Sequence, residues 1–301
     1  MTLTHTIDTF CKDQSDWDLK TERWYRRRLG QFVECLTADG VTAADQITLE
    51  HIKAHLTWLK RQGYAWNTRT GAYTCMSRFF RWLRDNHHIP INIFAEAGIK
   101  RPAKSRPGHR DLAIETIHAM IAAGEAETSS IAVRDVAIMR LLIGTGIRRE
   151  ELTRLKMADI SLSGCYAAVQ GKFDHRREVA FDDSVAKALG AWLVVRPETK
   201  SPELFTALHG GWGKAGNPLV PDCINSRLKH WQKKAGLPLE MSVSPHRWRH
   251  TYASEFIANG GDEFTLQVIL GHTDIKTTAL YVDIPRRVMV AKCKQFAPKI
   301  P

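Results

Sequence analysis

The stretch Ser244-Pro-His-Arg-Trp-Arg-His250 decides how the last third of this 301-residue chain is organised. Serine is a good N-cap and proline a good first-turn residue, so the sequence predicts a helix that begins here with His246 in its first turn. Arg249 and His250 lie three and four residues further on, which places both near the face of His246. Because the start of a helix favours an anion, the stretch predicts a phosphate-binding site.

Two other interpretations of His246 and His250 compete with this one. The two histidines could simply pack or cap the helix, and the pair alone does not decide between that role and phosphate binding. A zinc site is less well supported, because Arg247 stands where the H-E-x-x-H motif has its glutamate and two arginines would repel a divalent cation. We therefore predict no metal and no cofactor.

Further motifs lie on either side of this stretch. A helix is predicted from about Asp262 to Leu270; it ends at Gly271 as a C-cap and is followed by His272. Tyr281 comes nine residues after that histidine, and upstream stands Thr145-Gly-Ile-Arg148. A lone tyrosine is more often a packed aromatic than a nucleophile. Next to residues that can bind phosphate, it becomes a candidate for attacking one.

The bulk properties favour a polyanionic partner. The hydrophobic content of 44% is enough for the chain to bury a core. The formal net charge of +11 favours nucleic acid as a partner, with an acidic membrane surface as the second candidate. The most apolar region, Ile131 to Ile147, contains three charged residues and is too short to span a bilayer. No secretory signal is visible, and the six scattered cysteines are expected to be reduced thiols, which predicts a cytoplasmic protein.

The N-terminal part predicts three helices, from about Thr21, from Thr48 to Gly63, and from about Asn67 to Asp85. The third helix has a polar face suited to phosphate oxygens, although such a face can also be merely solvated. This face consists of Thr70, Thr74, Ser77, Arg78 and Arg81. The segment Lys100 to Gly108 then predicts a linker without an apolar anchor. Its four cations could bind around DNA as a basic strap or serve only as solubilising charge. They are Lys100, Arg101, Lys104 and Arg106.

The remaining elements are helices and one β-hairpin. The predicted helices are Ala113 to Ala123, Ser130 to Ile143, a short one through Leu155, and one capped by Asp182 or Asp183 that continues through Val195. The predicted hairpin joins Tyr166 to Val169 with Glu178 to Phe181 and carries Lys172 in its turn.

Five ordered motifs resemble those of the tyrosine recombinases, also called the phage integrase family, which include the Xer-type recombinases. The motifs are Thr145-Gly-Ile-Arg148-Arg-Glu-Glu151, Gly171-Lys172 with Arg177 and Val179, His246-x-x-Arg249-His250, Leu270-Gly-His272, and Thr277-Thr-x-x-Tyr281. The hairpin departs from the family pattern, since Phe173 stands where a second glycine is common; Lys172 is preferred there over Arg176 or Arg177. The resemblance covers nearly the whole chain.

The resemblance implies a fold that is mainly α with a small β-sheet. Residues 1–105 would form a helical core-binding, SAM-like domain that binds DNA, followed by a basic linker at about 100–110. Residues 111–301 would form the α+β catalytic domain with a C-terminal tail helix. In that tail, Val288, Ala291 and Gln295 share a helical stripe, which packs either on a neighbouring subunit or on its own domain.

The resemblance also implies the chemistry. Arg148, Arg249 and His272 would bind the scissile phosphate, Tyr281 would attack it with His246 as general base, and Lys172 would protonate the departing 5′-hydroxyl. Glu151 and His250 would support this set. These roles are given by the family motifs and agree with the phosphate-binding and nucleophilic chemistry of the side chains.

The implied function is site-specific recombination of double-stranded DNA through a 3′-phosphotyrosyl intermediate. A homo-tetramer, or a hetero-tetramer with a related recombinase, would act on paired sites, with accessory bending or directionality proteins as further partners. Two alternatives remain open: relaxation of supercoils by a type IB topoisomerase, and a non-catalytic DNA-binding regulator. The complete set of phosphate-binding and nucleophilic residues argues against the regulator, because a pure binder needs no nucleophile.

Overall fold

The computed structural model describes residues 2–103, 111–171, 176–208, 214–271, 291–293 and 295–298. These residues are mainly helical and include one three-stranded sheet. The chain divides into two compact units, Met1–Pro107 and Gly108–Pro301. None of the helices in the described ranges combines the length and the apolar character of a bilayer-crossing segment.

The first unit is built from helices around an aromatic-rich core. Its helices are α1 (Leu3–Lys12), α2 (Leu19–Ala38), α3 (Leu49–Arg61), α4 (Trp66–Asp85) and the short α5 (Ile93–Glu96). The predictions of α2, α3 and α4 are confirmed, whereas α1 and α5 were not predicted. Helix α1 is integral to the core, because the buried ring of Phe10 meets Phe79 and Trp82 at centroid distances of 5.3 and 5.6 Å.

Helix α4 buries a wider face than its sequence pattern indicates. Cys75, Phe79 and Trp82 are buried in addition to the predicted Met76 and Phe80. Thr70 is also buried, with only 5% of its surface exposed. The prediction that Thr70 lies on the exposed polar face is therefore wrong.

The predicted linker is anchored at its start. The hydroxyl of Tyr73 donates to the carbonyl of Ile99 at 3.0 Å, and the indole Nε1 of Trp66 donates to the carbonyl of Pro102 at 3.2 Å. Hydrogen bonds from two aromatic side chains of α4 therefore hold the chain just before and at the start of the linker.

The second unit packs helices around α7 and beside the sheet. Its helices are α6 (Ile114–Glu125), α7 (Ser130–Thr145), α8 (Arg149–Arg154), α9 (Asp183–Val195), α10 (Pro221–Lys234), α11 (Pro245–Ala258) and α12 (Glu263–Leu270). Almost every residue of α7 from Ala132 to Thr145 is buried, because α6, α9 and α11 all pack against it. Asp182 caps α9, which confirms one of the two predicted caps.

The sheet has the strand order β1-β2-β3 and is antiparallel throughout. Its strands are β1 (Ile160–Ser161), β2 (Tyr166–Gln170) and β3 (Arg176–Ala180). Strands β2 and β3 confirm the predicted hairpin, and β1 adds a short strand that was not predicted. Val169 lies opposite Arg177 in the register, and Lys172 lies outside the described residues.

The described part of the C-terminal tail packs on its own unit. The ring of Phe296 meets that of Phe256 on α11 at 5.7 Å, and the thiol of Cys293 lies 3.9 Å from the hydroxyl of Tyr252. Of the predicted stripe, Ala291 and Gln295 are exposed and do not pack on their own unit, where Cys293 is buried instead; Val288 lies outside the described residues. Packing of the stripe on a neighbouring subunit stays a prediction.

Candidate active site

The turn between α7 and α8 fixes the first candidate residues. Helix α7 ends at Gly146, which has the left-handed φ of 61°. Arg148 then caps α8, and Glu151, three residues on, accepts a hydrogen bond from the Arg148 backbone N–H at 2.8 Å. This turn leaves the Arg148 side chain 40% exposed while the Glu151 side chain is only 4% exposed.

Helix α11 begins where its sequence predicts, with Ser244 at the N-cap position and Pro245 in the first turn, although the Ser244 side chain makes no capping hydrogen bond. One turn later it carries the buried Arg249, whose Nη1 donates to the carbonyl of Gly146 at 2.7 Å. Its Nη2 donates to the carbonyl of Leu270 at 2.6 Å. Arg249 thus joins the end of α7 to the end of α12.

The end of α12 is the hub of the site. Gly271 caps this helix in the left-handed conformation, as predicted. Three successive carbonyls there each accept one guanidinium N–H. Ile269 accepts from Arg177 Nε at 2.9 Å, Leu270 from Arg249 Nη2 at 2.6 Å, and Gly271 from Arg148 Nη2 at 3.2 Å. Carbonyls at a helix C-terminus lack helical partners and carry partial negative charge, so they stabilise a cluster of cations.

Glu151 offsets part of this positive charge. Its carboxylate accepts from Arg177 Nη1 and Nη2 at 2.6 and 2.9 Å and from Arg148 Nη1 at 3.1 Å. Burial raises the pKa of Glu151, but the bonds and charges of Arg177 and Arg148 outweigh burial and lower that pKa below its ordinary value. Glu151 is therefore a permanent anion between two arginines at neutral pH.

Glu150, the other carboxylate at the site, is paired with Arg149, so the net charge around Arg148 and Arg249 remains positive. Burial, followed by the like charges of Arg148 and Arg177, lowers the pKa of Arg249 to about 9. The guanidinium is still charged at neutral pH, but it is poorly solvated and lies close to two other cations. An anion placed beside Arg148 and Arg249 would relieve this repulsion, so the arrangement suits a phosphate group.

A cleft of about 330 Å³ lies over the two arginines. Its lining includes Arg148, Arg249, His246 and, from α10, Asn225. His246 Nε2 lies 3.1 Å from Nε2 of His250, so one of these nitrogens donates and the other accepts. The structure thus brings three of the predicted phosphate-site residues to one cleft and places His250 against one of them.

Three of the predicted catalytic residues, Lys172, His272 and Tyr281, lie outside the described residues, and their roles stay predictions. His272 directly follows Gly271 in the chain, whose carbonyl Arg148 contacts. No group of three or more His, Cys, Asp or Glu that could hold a metal ion occurs in the described part of the chain.

Four residues in or beside the cleft were not predicted as site residues: Arg149 and Glu150, which line it, and Arg177 and Asn225. Arg177 was considered only as an alternative to the hairpin lysine, whereas it contacts Glu151 and the end of α12. Asn225 was missed because α10 was not predicted, although Pro221 as a helix start and the spacing of the buried Ile224, Leu228 and Trp231 indicate that helix.

Most of the predicted DNA contacts of the first unit share a second cleft, of about 540 Å³. Thr74, Ser77, Arg78, Arg81 and Arg101 line it. The Arg78 guanidinium donates to Gln14 at 2.7 Å and lies 4.9 Å from the ring centre of Trp17, which holds it in place. Lys100 is exposed, and Lys104 and Arg106 lie outside the described residues.

Comparisons with known proteins place the chain in a family. The model of the phage integrase family matches residues 111–286, and the model of the phage integrase N-terminal SAM-like domain matches residues 17–87. This chain belongs to the phage integrase family. The tyrosine recombinase XerC of Alcanivorax borkumensis is 29% identical to this chain over 270 residues, which cover 88% of this chain and 83% of that protein.

Solved structures of phage integrase family members share the fold. A lambda integrase dimer bound to a COC′ core site has a TM-score of 0.71 at 19% identity, over 100% of this chain and 80% of the other. A lambda integrase tetramer bound to a Holliday junction has a TM-score of 0.70 at 20% identity, over 93% and 80%. The predicted family, the mainly helical fold class and the class of activity, DNA strand transfer by a site-specific recombinase, are confirmed.

Proposed function

We propose that this protein cleaves and rejoins DNA strands at specific sites through a 3′-phosphotyrosyl intermediate formed by Tyr281. One observation carries the proposal: Arg148 and Arg249 line a single cleft, and the carbonyls at the end of α12 hold both guanidinium groups. Two arginines fixed in this way form a pre-organised site for the two non-bridging oxygens of a phosphodiester.

The arginines stabilise the charge that builds on the phosphate during attack. Arg148 and Arg249 each bind a non-bridging oxygen, and His272 donates a further hydrogen bond to the phosphate. Glu151 orients Arg148 and carries no proton in the reaction. Because hydrogen bonds to the end of α12 already hold Arg148 and Arg249 in place, these two side chains need little reorganisation as the transition state forms.

The reaction exchanges one phosphoester for another. The Tyr281 oxygen attacks phosphorus while the bond from phosphorus to the 5′-oxygen breaks, and the 3′-phosphate becomes linked to the tyrosine. The phenol has an ordinary pKa near 10, so a base must accept its proton. His246 accepts it, supported by His250, and Lys172 protonates the leaving 5′-oxygen. The reverse steps rejoin a strand, and because the ester bond is conserved the cycle requires no nucleotide. The arginines and Lys172 supply the positive charge, so it requires no metal.

The first unit supplies most of the DNA binding in this proposal. Residues 1–105 act as a core-binding domain on double-stranded DNA, residues 111–301 as the catalytic domain, and the basic segment at about 100–110 as a linker along the backbone. The contacts are made by Thr74, Ser77, Arg78, Arg81, Lys100, Arg101, Lys104 and Arg106.

Strand exchange between two sites needs four active subunits. A lambda integrase with the same fold is found as a tetramer bound to a Holliday junction, which supports a homo-tetramer here, or a hetero-tetramer with a related recombinase. Accessory DNA-bending or directionality proteins would assist it, and the protein would act in the cytoplasm.

The proposal is tested by recovering the DNA that becomes covalently attached to the protein in its host. We expect sequencing of this DNA to give one short shared site, and a plasmid carrying two copies of that site to recombine with the purified protein. Efficient relaxation of supercoiled plasmids that lack the site, at low protein concentration and without recombination, would instead favour a topoisomerase.

A further inference from the structure

Arg177 bonds through all three of its guanidinium nitrogens beside the cleft, although it does not line the cleft itself. It starts on β3, its side chain is 15% exposed, and its guanidinium bonds to Glu151 through two nitrogens and to the carbonyl of Ile269 through the third. Its stem runs under Gly271, where an added Cβ would lie 2.9 Å from Arg177 Cδ. One side chain thus joins β3, α8 and the end of α12.

This arrangement is more elaborate than stability alone requires. A buried ion pair gains little over an apolar pair of the same volume, because both charges lose their water. The Arg177–Glu151 pair stands directly behind Arg148, since Glu151 also accepts from the Arg148 backbone N–H and from Arg148 Nη1. Its position therefore points to a role in controlling Arg148.

We infer that Arg177 is a positioning residue that keeps Arg148 available to the scissile phosphate; this inference rests on the proposed function. Arg177 takes the two-nitrogen contact with Glu151, so Arg148 makes a single side-chain contact with that carboxylate and a second with Gly271. Among the described residues, Glu151 and Gly271 are the only hydrogen-bond partners of the Arg148 guanidinium, and Arg148 lines the cleft.

Removing Arg177 would change how the two arginines share the Glu151 carboxylate. Arg148 would become the only described ion-pair partner of a carboxylate that is 4% exposed. The cost of leaving that charge unpaired would draw Arg148 into a two-nitrogen contact with Glu151. Arg148 would then withdraw from the phosphate, and cleavage would slow while DNA still bound through its other contacts.

The experiment must separate this role from that of a simple structural brace. Single-turnover strand cleavage is measured on a nicked duplex that carries the site recovered from the host. The scissile group is either the normal phosphate or a neutral methylphosphonate, on which much less negative charge develops.

Arg177→Met and Arg177→Lys are compared with Arg196→Met, a matched structural control. Arg196 is also half-buried and bonds to carbonyls, those of Ser201, Glu203 and Leu204, away from the cleft.

We expect Arg177→Met to cleave the phosphate substrate about 10- to 100-fold more slowly than the wild type at unchanged DNA affinity. On the methylphosphonate the deficit shrinks to about threefold or less, because little charge remains for Arg148 to offset. Arg177→Lys keeps the charge but loses the two-nitrogen contact with Glu151. We expect its cleavage rate to fall less than that of Arg177→Met and to depend on the charge of the substrate in the same way. Arg196→Met lowers the melting temperature and shows no such dependence.

Equal deficits of both Arg177 variants on the two substrates would overturn the inference and leave Arg177 as a brace. If Arg177→Met does not fold, Arg177→Lys alone decides by the same comparison. A wild-type protein that fails to cleave either duplex would contradict the proposed function, and the inference would fall with it. If the wild type cleaves normally but the Arg177 variants show equal deficits on the two substrates, the inference is overturned and the proposed function stands.

Discussion

Arg249 donates to the carbonyl of Gly146 over 2.7 Å, across 103 residues of chain. Gly146 can present that carbonyl because it ends α7 in the left-handed conformation, with φ of 61°. The same turn leads directly into Arg148. One glycine conformation therefore sets the relative position of the two arginines proposed to bind the phosphate.

Gly146→Ala should lower both stability and cleavage. The left-handed backbone is strained for alanine, and its Cβ would lie 2.7 Å from Tyr252 Cδ1 and 2.8 Å from Leu270 Cδ2. We expect a loss of about 2 to 4 kcal/mol in the free energy of urea unfolding. Gly236→Ala is the matched control, because Gly236 has φ of 67° with no atom within 4 Å of the added Cβ; it should lose only about 1 kcal/mol. Equal losses would mean that Gly146 is not sterically constrained.

Arg249→Ala should reduce single-turnover cleavage at least about 100-fold, the usual cost of losing one pre-organised donor. Arg148→Ala should have an effect of similar size. Arg249→Lys keeps the positive charge but cannot reach Gly146, Leu270 and a phosphate together, so it should remain impaired. Near-normal cleavage by the alanine variants would show that the phosphate is held elsewhere.

Glu151→Gln should have a pH-dependent effect on stability. The pKa of Glu151 is lowered in the folded protein, so its ionised form stabilises the fold above its ordinary pKa of 4.5, and this contribution is lost as the pH falls through the lowered value. At pH 7 we expect the variant to be less stable by about 2 to 3 kcal/mol in urea unfolding. The difference in the free energy of unfolding between the variant and the wild type should narrow below about pH 4. A gap that stays constant into acid would contradict the ion-pair assignment.

Arg81→Ala should weaken DNA binding evenly across sequences. Arg81 lines the cleft of the first unit, and each lost phosphate contact lowers the slope of log affinity against log salt by about 1. Arg84→Ala is the control on the same helix, because Arg84 pairs with Asp85 and does not line that cleft. The two variants are compared by DNA titration at several salt concentrations. An unchanged slope for Arg81→Ala would remove this residue from the interface.

The parts of the site set by local signals could be predicted from the sequence. Pro245 in the first turn starts α11 and Gly271 ends α12, because such signals act within one turn of the backbone. The hairpin of β2 and β3 followed from strand-like segments on either side of a polar turn. The order of the family motifs then identified Arg148, His246 and Arg249 as members of one site.

The parts set by distant contacts could not be predicted. Arg177 lies 26 residues from Glu151 and 92 from Ile269, and no local pattern indicates either contact. Thr70 was misplaced because α4 buries more of its circumference than a single apolar stripe requires. Helix α1 went unnoticed although Leu3, Ile7 and Phe10 fall at helical spacing and are all buried.

In the proposed reaction, Tyr281 becomes covalently linked to DNA. The most direct test incubates the protein with a nicked suicide duplex carrying the recovered site, from which the cleaved 5′ end diffuses away, and separates protein–DNA adducts under denaturing conditions. We predict an adduct with the wild type and none with Tyr281→Phe, which should still bind the duplex. Persistent adduct formation by Tyr281→Phe would contradict the account.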